Sequence, residues 1–318
     1  MTDVTALGEL LIDFTPSGVS EHGAALYARN AGGAPANVLA MLSRLGRSTQ
    51  LIARVGQDAF GRFLRDTLEQ CGVGCRGIVT GPEATTLAFV QLDKTGERSF
   101  AFHRGADLLL TAEQVPVELI KRSRVFHFGS VSMTGEPGRG ATLFAARTAR
   151  AAGVLVSYDP NYRPFLWPDT AAAVKVMAQG LAYARIVKVS DEEALLLTGE
   201  REPGAAAQAL RQLGPELVLV TAGGDGAWYA GEGFSGHVPA FHVPVVDTTG
   251  AGDTFLGAFL HALLRRPGDP LRELDEPFVR GAVTYASAAG ALCTTDYGAI
   301  AAMPAEKQIQ TLLTGEEG

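Results

Sequence analysis

Short apolar runs with a two-residue repeat alternate along this chain with longer stretches of helical period. Val4–Phe14 reads as a strand, and Ala34–Leu45 repeats its apolar positions at helical spacing before stopping at Gly46. Gln50–Val55 is another β-like run, followed by a predicted helix over Ala59–Cys71 that ends at Gly72. Further strands are predicted at Arg124–Phe128, Val154–Tyr158, Ile186–Val189 and Leu217–Val220. Helices are predicted around Gly140–Ala152, near Ala171–Ala182 and from about Gly252 onward. Alternation of this kind builds a mainly parallel sheet covered by helices on both faces, an α/β architecture. Open sheets of that type bind ligands beyond the carboxyl ends of their strands.

Two regions depart from the alternation. Thr85–Leu92 and Arg98–Phe102 read as a hairpin around Asp93-Lys94-Thr95-Gly96, with no helix between them. Residues 14–31 carry turn residues and short β-like pieces. Together, 14–31 and 85–107 predict a small β-sheet standing off the main body. No long linker, low-complexity tract or internal repeat interrupts the chain, so residues 1–318 are expected to form one domain carrying that sheet.

Composition narrows the function. Apolar residues make up 47% of the 318, enough for a substantial core, and 38 glycines imply many tight turns. The net charge of −7 and the lack of a basic run argue against nucleic-acid binding. Cys71, Cys75 and Cys293 form neither a disulfide framework nor a paired zinc motif, so reduced thiols are expected. The N-terminus has no basic cluster ahead of a long apolar core, unlike a signal peptide. No apolar stretch approaches the roughly 20 residues that span a bilayer. A soluble, cytoplasmic protein without membrane contact is the expectation.

Chemistry concentrates in Val245–Leu260. An apolar run ends in Asp247, two threonines follow, and Gly250-Ala251-Gly252 leads into Asp253 and an apolar helix. Small residues at a helix start leave backbone N–H groups uncovered where the dipole is positive, which makes an anion site. A carboxylate beside such a site accounts for itself as a favourable helix-opening charge, or as a base that deprotonates a hydroxyl attacking a bound phosphoryl group. The uninterrupted Asp-Thr-Thr-Gly-Ala-Gly-Asp-Thr-Phe string resembles the signature of the ribokinase-like (PfkB) carbohydrate kinases. That resemblance implies a three-layer α/β/α sandwich with a β-sheet lid. It also implies that Asp253 is the catalytic base and that the amides of Gly250, Ala251 and Gly252 form the anion hole.

The resemblance extends from about residue 5 to 305. Asp13 in Leu7-Gly8-Glu9-Leu10-Leu11-Ile12-Asp13, and Gly32, Gly33 and Asn37 in the segment from Ala31, fall where these kinases bind sugar hydroxyls. By themselves, a turn aspartate and helix-initiating glycines explain those residues equally well. Arg54-Val55-Gly56-Gln57-Asp58-Ala59-Phe60-Gly61 also matches the family's N-terminal pattern. Arg104, after the hairpin, is either a substrate contact or a turn-closing surface arginine. Arg163, in Asp159-Pro160-Asn161-Tyr162-Arg163, suits phosphate or carboxylate, and the segment is similar to fructokinases and 2-keto-3-deoxygluconate kinases.

On the nucleotide side, Lys188–Glu193 aligns with a family N-x-x-E motif that organises Mg²⁺ and phosphate through water. Ser190 replaces the asparagine and Glu193 keeps the glutamate; a helix-capping serine before three acids accounts for the same residues. The resemblance also places Lys188, Thr221, Gly223, Gly226 and, more weakly, Ser287 around ATP. Relatives often use K⁺ near the carbonyls of this turn, which would involve Asp247 and Thr249. No Walker A or protein-kinase signature is present. The implied activity is ATP-dependent phosphorylation of a sugar hydroxymethyl group, fructose to fructose 6-phosphate, with Mg²⁺ and a homodimer paired through the lid. The competing expectations are 2-keto-3-deoxygluconate kinase, whose acid substrate would use Arg104 and Arg163, and a sugar-binding regulator without turnover.

Overall fold

The computed structural model describes residues 1–92 and 98–315, and side chains outside 91–100. The Asp93–Gly96 turn of the predicted hairpin lies outside the described residues. The main sheet contains β1 (Thr2–Leu7), β4 (Thr49–Gly56), β5 (Val73–Gly81), β8 (Ser123–Gly129), β9 (Leu155–Asp159), β10 (Ile186–Ser190) and β11 (Leu217–Thr221). An edge hairpin, β12 (Ala227–Gly231) and β13 (Phe234–Val238), completes the order β13-β12-β11-β10-β9-β8-β1-β4-β5. All pairings are parallel except β11–β12 and β12–β13.

Helices cover both faces. On one face α1 (Ala34–Arg44), α2 (Ala59–Gln70), α8 (Ala251–Leu263) and α9 (Glu276–Cys293) bury Leu39, Leu64, Phe259 and Val283 against the sheet. On the other, α4 (Gly138–Ala151), α5 (Thr170–Leu181) and α7 (Pro203–Gln212) bury Ala145, Met177 and Ala207 with Phe126 and Tyr158. The spacing of apolar residues gives α2, α4, α5 and α7 one buried stripe each, as a three-layer stack requires, whereas α1 and α8 are buried on nearly every side. Among the described residues, no helix is long and apolar enough to cross a membrane.

The second sheet holds β2 (Leu11–Val19), β3 (Ala25–Gly32), β6 (Leu87–Leu92) and β7 (Arg98–His103) in the order β3-β2-β6-β7. The predicted β-excursions therefore meet as one four-stranded unit. The single strand expected over Val4–Phe14 is instead two strands in different sheets. Gly8 and Glu9 mark the crossing: a Cβ on Gly8 would lie 2.5 Å from Pro35 Cγ, and Glu9 Oε1 accepts the Ala34 N–H at 2.8 Å. Asp13 accordingly belongs to the second sheet, within β2, and does not end the first strand. Asp58 ties the two sheets together by capping α2 through Gly61 N–H (2.7 Å) and accepting from Thr85 N–H (2.8 Å).

Candidate active site

Helices α1 and α8 begin without side-chain caps, on Gly33 (φ 120°) and Gly250 (φ 77°). They also pack closely. A Cβ on Gly257 of α8 would lie 2.8 Å from Met41 Cβ on α1, so only glycine permits this approach. One turn earlier on each helix the same approach brings Asn37 to Asp253. Asn37 Nδ2 donates to Asp253 Oδ2 at 2.8 Å, and Asn161 Nδ2, beyond the end of β9, donates to Oδ1 at 3.2 Å.

Asp253 is 7% exposed, and burial pushes its pKa up to about 6. The Asn37 bond opposes that rise, Asp159 adds to it, and Lys188 and Arg163 oppose it. The result is a carboxylate more basic than usual yet still charged near neutral pH. Asp13 on β2 still reaches solvent, but the cleft desolvates it enough to push it up to about 6 as well. Arg163 opposes that shift and Asp253 adds to it, so all three charges face one another. Gly32 makes room for Asp13, since a Cβ there would lie 2.0 Å from its Oδ2. A Cβ on Gly33 would lie 2.3 Å from the Glu9 carbonyl oxygen.

At the start of α8, the Ala251 N–H donates weakly to Thr248 O at 3.3 Å. The N–H groups of Gly250, Gly252 and Asp253 have no acceptor among the described residues. The open donors thus include Asp253 itself, while Ala251 contributes less than its place in the motif implies. Asp247 shapes this turn: Oδ1 accepts from Thr249 N–H (2.9 Å) and Oγ1 (2.7 Å), and Oδ2 accepts from Gly298 N–H (3.1 Å). Gly250 fits because its left-handed backbone has no Cβ to strike Ala299, 2.6 Å away.

Lys188 is buried on β10, and its Nζ donates to Asp159 Oδ2 at 3.0 Å. A Cβ on Gly252 would lie 2.8 Å from that Nζ, which places the ammonium against the anion-binding turn. Burial opposes its charge, but Asp159 and Glu193 outweigh burial and leave the Lys188 pKa raised. Glu193 forms a capping box with Ser190 and also accepts the Tyr162 N–H at 2.5 Å. Both its oxygens are therefore engaged by backbone. Burial, with Asp159, raises its pKa against the pull of Lys188.

Thr221 closes β11 beside Ser190, and the turn after it needs glycine at Gly223 (φ 49°) and Gly226 (φ 97°). A Cβ on Gly226 would lie 2.2 Å from Val238 O. Ser287 on α9 has a buried Oγ without a partner among the described residues. No recorded hydrogen bond joins these four to Asp253. Arg104 is held in a two-point pair with Asp107 (2.6 and 3.3 Å) and bonds Thr134 Oγ1 at 3.1 Å. Sequence reasoning passed over Asp159 and Asn161 as individual actors, although their place at the end of a parallel strand was the available signal. Among the described residues, no group of three or more His, Cys, Asp or Glu side chains is arranged to hold a metal. Cavity volume is no guide either: a cleft of about 490 Å³ lined by Arg150, Arg185 and Glu216 lies at the amino ends of β9–β11, the opposite edge.

Comparison with known proteins agrees in extent and in kind. Residues 1–306 match the model of the pfkB family carbohydrate kinases. The chain is 43% identical over 316 residues to a protein named probable fructokinase-5 from Arabidopsis thaliana, covering 98% of this chain and 97% of that one. It superposes on the ATP-bound fructokinase of Xylella fastidiosa with a TM-score of 0.91 at 35% identity, covering 99% of each chain. A double mutant of the Vibrio cholerae O395 fructokinase, solved with fructose, ADP and potassium ion, gives 0.88 at 32% identity over 98% of each. With a nine-stranded sheet, a separate four-stranded sheet and this motif at the start of α8, the chain belongs to the pfkB family of carbohydrate kinases.

Proposed function

We propose that the protein is an ATP-dependent fructokinase producing fructose 6-phosphate. One observation carries the chemistry: Asp253, held through both oxygens by Asn37 and Asn161, sits beside uncovered N–H groups at the start of α8. The fructokinases named above, at 32–43% identity, support fructose as acceptor. In the step, Asp253 accepts the proton of the sugar hydroxyl as its oxygen bonds to the γ-phosphorus. The bond from that phosphorus to the bridging oxygen breaks, and ADP leaves. Removing one positioned anion-hole donor typically costs about 3–4 kcal/mol of transition-state stabilisation. The family assigns these donors to Gly250, Ala251 and Gly252; here Gly250 and Gly252 are the better placed.

Asp13, Gly32, Gly33, Asn37 and Arg163 would line the sugar side, and Lys188, Thr221, Gly223, Gly226 and Ser287 the nucleotide side. The orphaned Ser287 oxygen suits a polar edge of the base. Mg²⁺ would neutralise charge on the phosphates. With both Glu193 oxygens engaged, it would take its ligands from ATP and water, with Glu193 acting only through water. The turn that Asp247 and Thr249 build is the place for K⁺, as the potassium-bound relative suggests. A homodimer through the second sheet is supported by Val19, Leu26 and Tyr27, which are 68%, 45% and 43% exposed.

The 2-keto-3-deoxygluconate reading is weaker, because Asp107 already neutralises Arg104, one of the two arginines it needs. A regulator without turnover would have no use for a fully assembled base. The test is ADP release with Mg-ATP across a sugar panel, with the position of the phosphate identified. Fructose should be the preferred acceptor, and Asp253→Asn should lower kcat by at least about 10²–10⁴-fold while the fold persists. Full turnover by that variant would remove the assigned base, and sugar binding without any turnover would favour the regulator.

A further inference from the structure

Asp159 ends β9 at 2% exposure, and the phosphoryl-transfer step above gives it no task. Its two oxygens reach different halves of the site. Oδ1 accepts the Asn161 N–H at 3.0 Å, closing a local turn in which Asn161 takes a left-handed backbone (φ 50°). Asn161 then sends its side-chain amide to Asp253. Oδ2 accepts from Lys188 Nζ, whose ammonium fills the space beside Gly252.

The location of that ammonium is informative. A cation beside the positive end of a helix is unfavourable, since helix starts prefer acids. Lys188 lies there nonetheless, held by a buried carboxylate. An ammonium has three donors, and Asp159 is the one hydrogen-bond acceptor recorded for it among the described residues. The arrangement becomes favourable when an anion sits on the turn, so that cation and helix start act on the same charge. Separate structural duties for the two oxygens would not require the partners to lead to the base on one side and the anion turn on the other.

We infer that Asp159 is a positioning residue for phosphoryl transfer, seating the Lys188 ammonium at the anion-binding turn through one oxygen and fixing the Asn161–Asp253 contact through the other. This rests on the kinase reading above and extends it to a residue with no expected contact to either substrate.

Asp159→Asn separates the two arms. An asparagine can still accept from the Asn161 N–H but offers Lys188 no charge, whereas Asn161→Ala frees Asp253 on one side and leaves Lys188 seated. Steady-state kinetics with fructose and Mg-ATP should give Asp159→Asn a kcat roughly 10²-fold below wild type, with the KM for fructose within about threefold. Lys188→Met should fall similarly, and the double variant should be no worse than Lys188→Met alone. The acid limb of the kcat–pH profile should also move to lower pH in Asp159→Asn. The charged groups facing Asp253 are Asp13 from β2, Asp159 and Arg163 from β9 and its exit, and Lys188 from β10, with the Cys293 thiol from α9. Removing the Asp159 charge favours the ionised base, and because its effect on Asp253 exceeds the opposing one of Lys188, an unseated ammonium reduces that shift without reversing it.

A folded Asp159→Asn with kcat within threefold of wild type overturns the inference, as do independent, multiplying losses in the double variant. If Asp159→Asn does not fold, Asn161→Ala and Lys188→Met report the arms separately, and full kcat in either overturns that arm. An inactive wild type across the sugar panel would instead remove the kinase reading itself.

Discussion

Buried carboxylates set the acid–base behaviour of this protein. Glu9 is pushed up to about 7 by burial, against hydrogen bonds from its own and the Ala34 backbone N–H, while Asp13 and Asp253 are pushed up to about 6. Each binds its proton more tightly folded than unfolded. Their contribution to stability is therefore full below about pH 4 and is lost as pH rises through 6 to 7. Glu9 alone accounts for on the order of 3 kcal/mol over that window. Glu9→Gln keeps an acceptor for the Ala34 N–H and should flatten the fall in melting temperature between pH 5 and 8. An unchanged slope would mean Glu9 is not the group responsible. Activity runs the opposite way. A base must be deprotonated to act, so kcat/KM should rise with pH through about 6 and then level off. These shifts were not legible in the sequence, because Glu9 and Asp13 read there as strand and turn acids. Their burial depends on the crossing into the second sheet. Asp253 was legible through the uninterrupted Asp-Thr-Thr-Gly-Ala-Gly-Asp-Thr-Phe string and its resemblance to the family signature; alone, an acid at a helix start reads equally as a favourable N-terminal charge.

Among the helices, the α1–α8 contact makes the sharpest demand on sequence. Gly257 has no place in the recognised motif, yet it lets Asn37 reach Asp253. Gly257→Ala should push α1 and α8 apart, costing about 1–3 kcal/mol and lowering kcat more than it raises the KM for ATP. Equal stability and kcat by chemical denaturation and kinetics would show that the helices can yield without cost. The central strands β8–β11 and helices α1, α2, α4, α5 and α8 were readable because periodicity survives in each segment. Val4–Phe14 was misread for the same reason: its alternation continues unbroken across Gly8 and Glu9 while the backbone changes sheets. The antiparallel β12–β13 edge and helix α9 were not assigned. The hairpin pairs locally across Glu232-Gly233, but Ala227, Gly231 and Gly236 blur its alternation, and α9 is likewise rich in small residues that carry little periodic contrast.

Across the whole fold, the layering was foreseeable from the order of its elements, and the resemblance implied pairing through the lid, whereas the residues that the second sheet exposes were not readable from the sequence. If the face of that sheet carrying Val19 and Tyr27 pairs two chains, Val19→Glu with Tyr27→Glu should turn a dimer into a monomer by light scattering, with the melting temperature of the monomer little changed. A wild type that runs as a monomer at micromolar concentration would exclude the pairing.

The chain enters the second sheet at two narrow places, Gly8–Leu10 and residues 82–86. Asp13 lies on the far side of those joints, while Asp253 is bolted to the near side by α1 and the exit of β9. If the joints hinge, the acceptor alcohol rides inward with its holder toward a stationary proton trap. Nucleotide arriving alone would then find a reaction centre missing half its parts, and water would gain little from taking the alcohol's place.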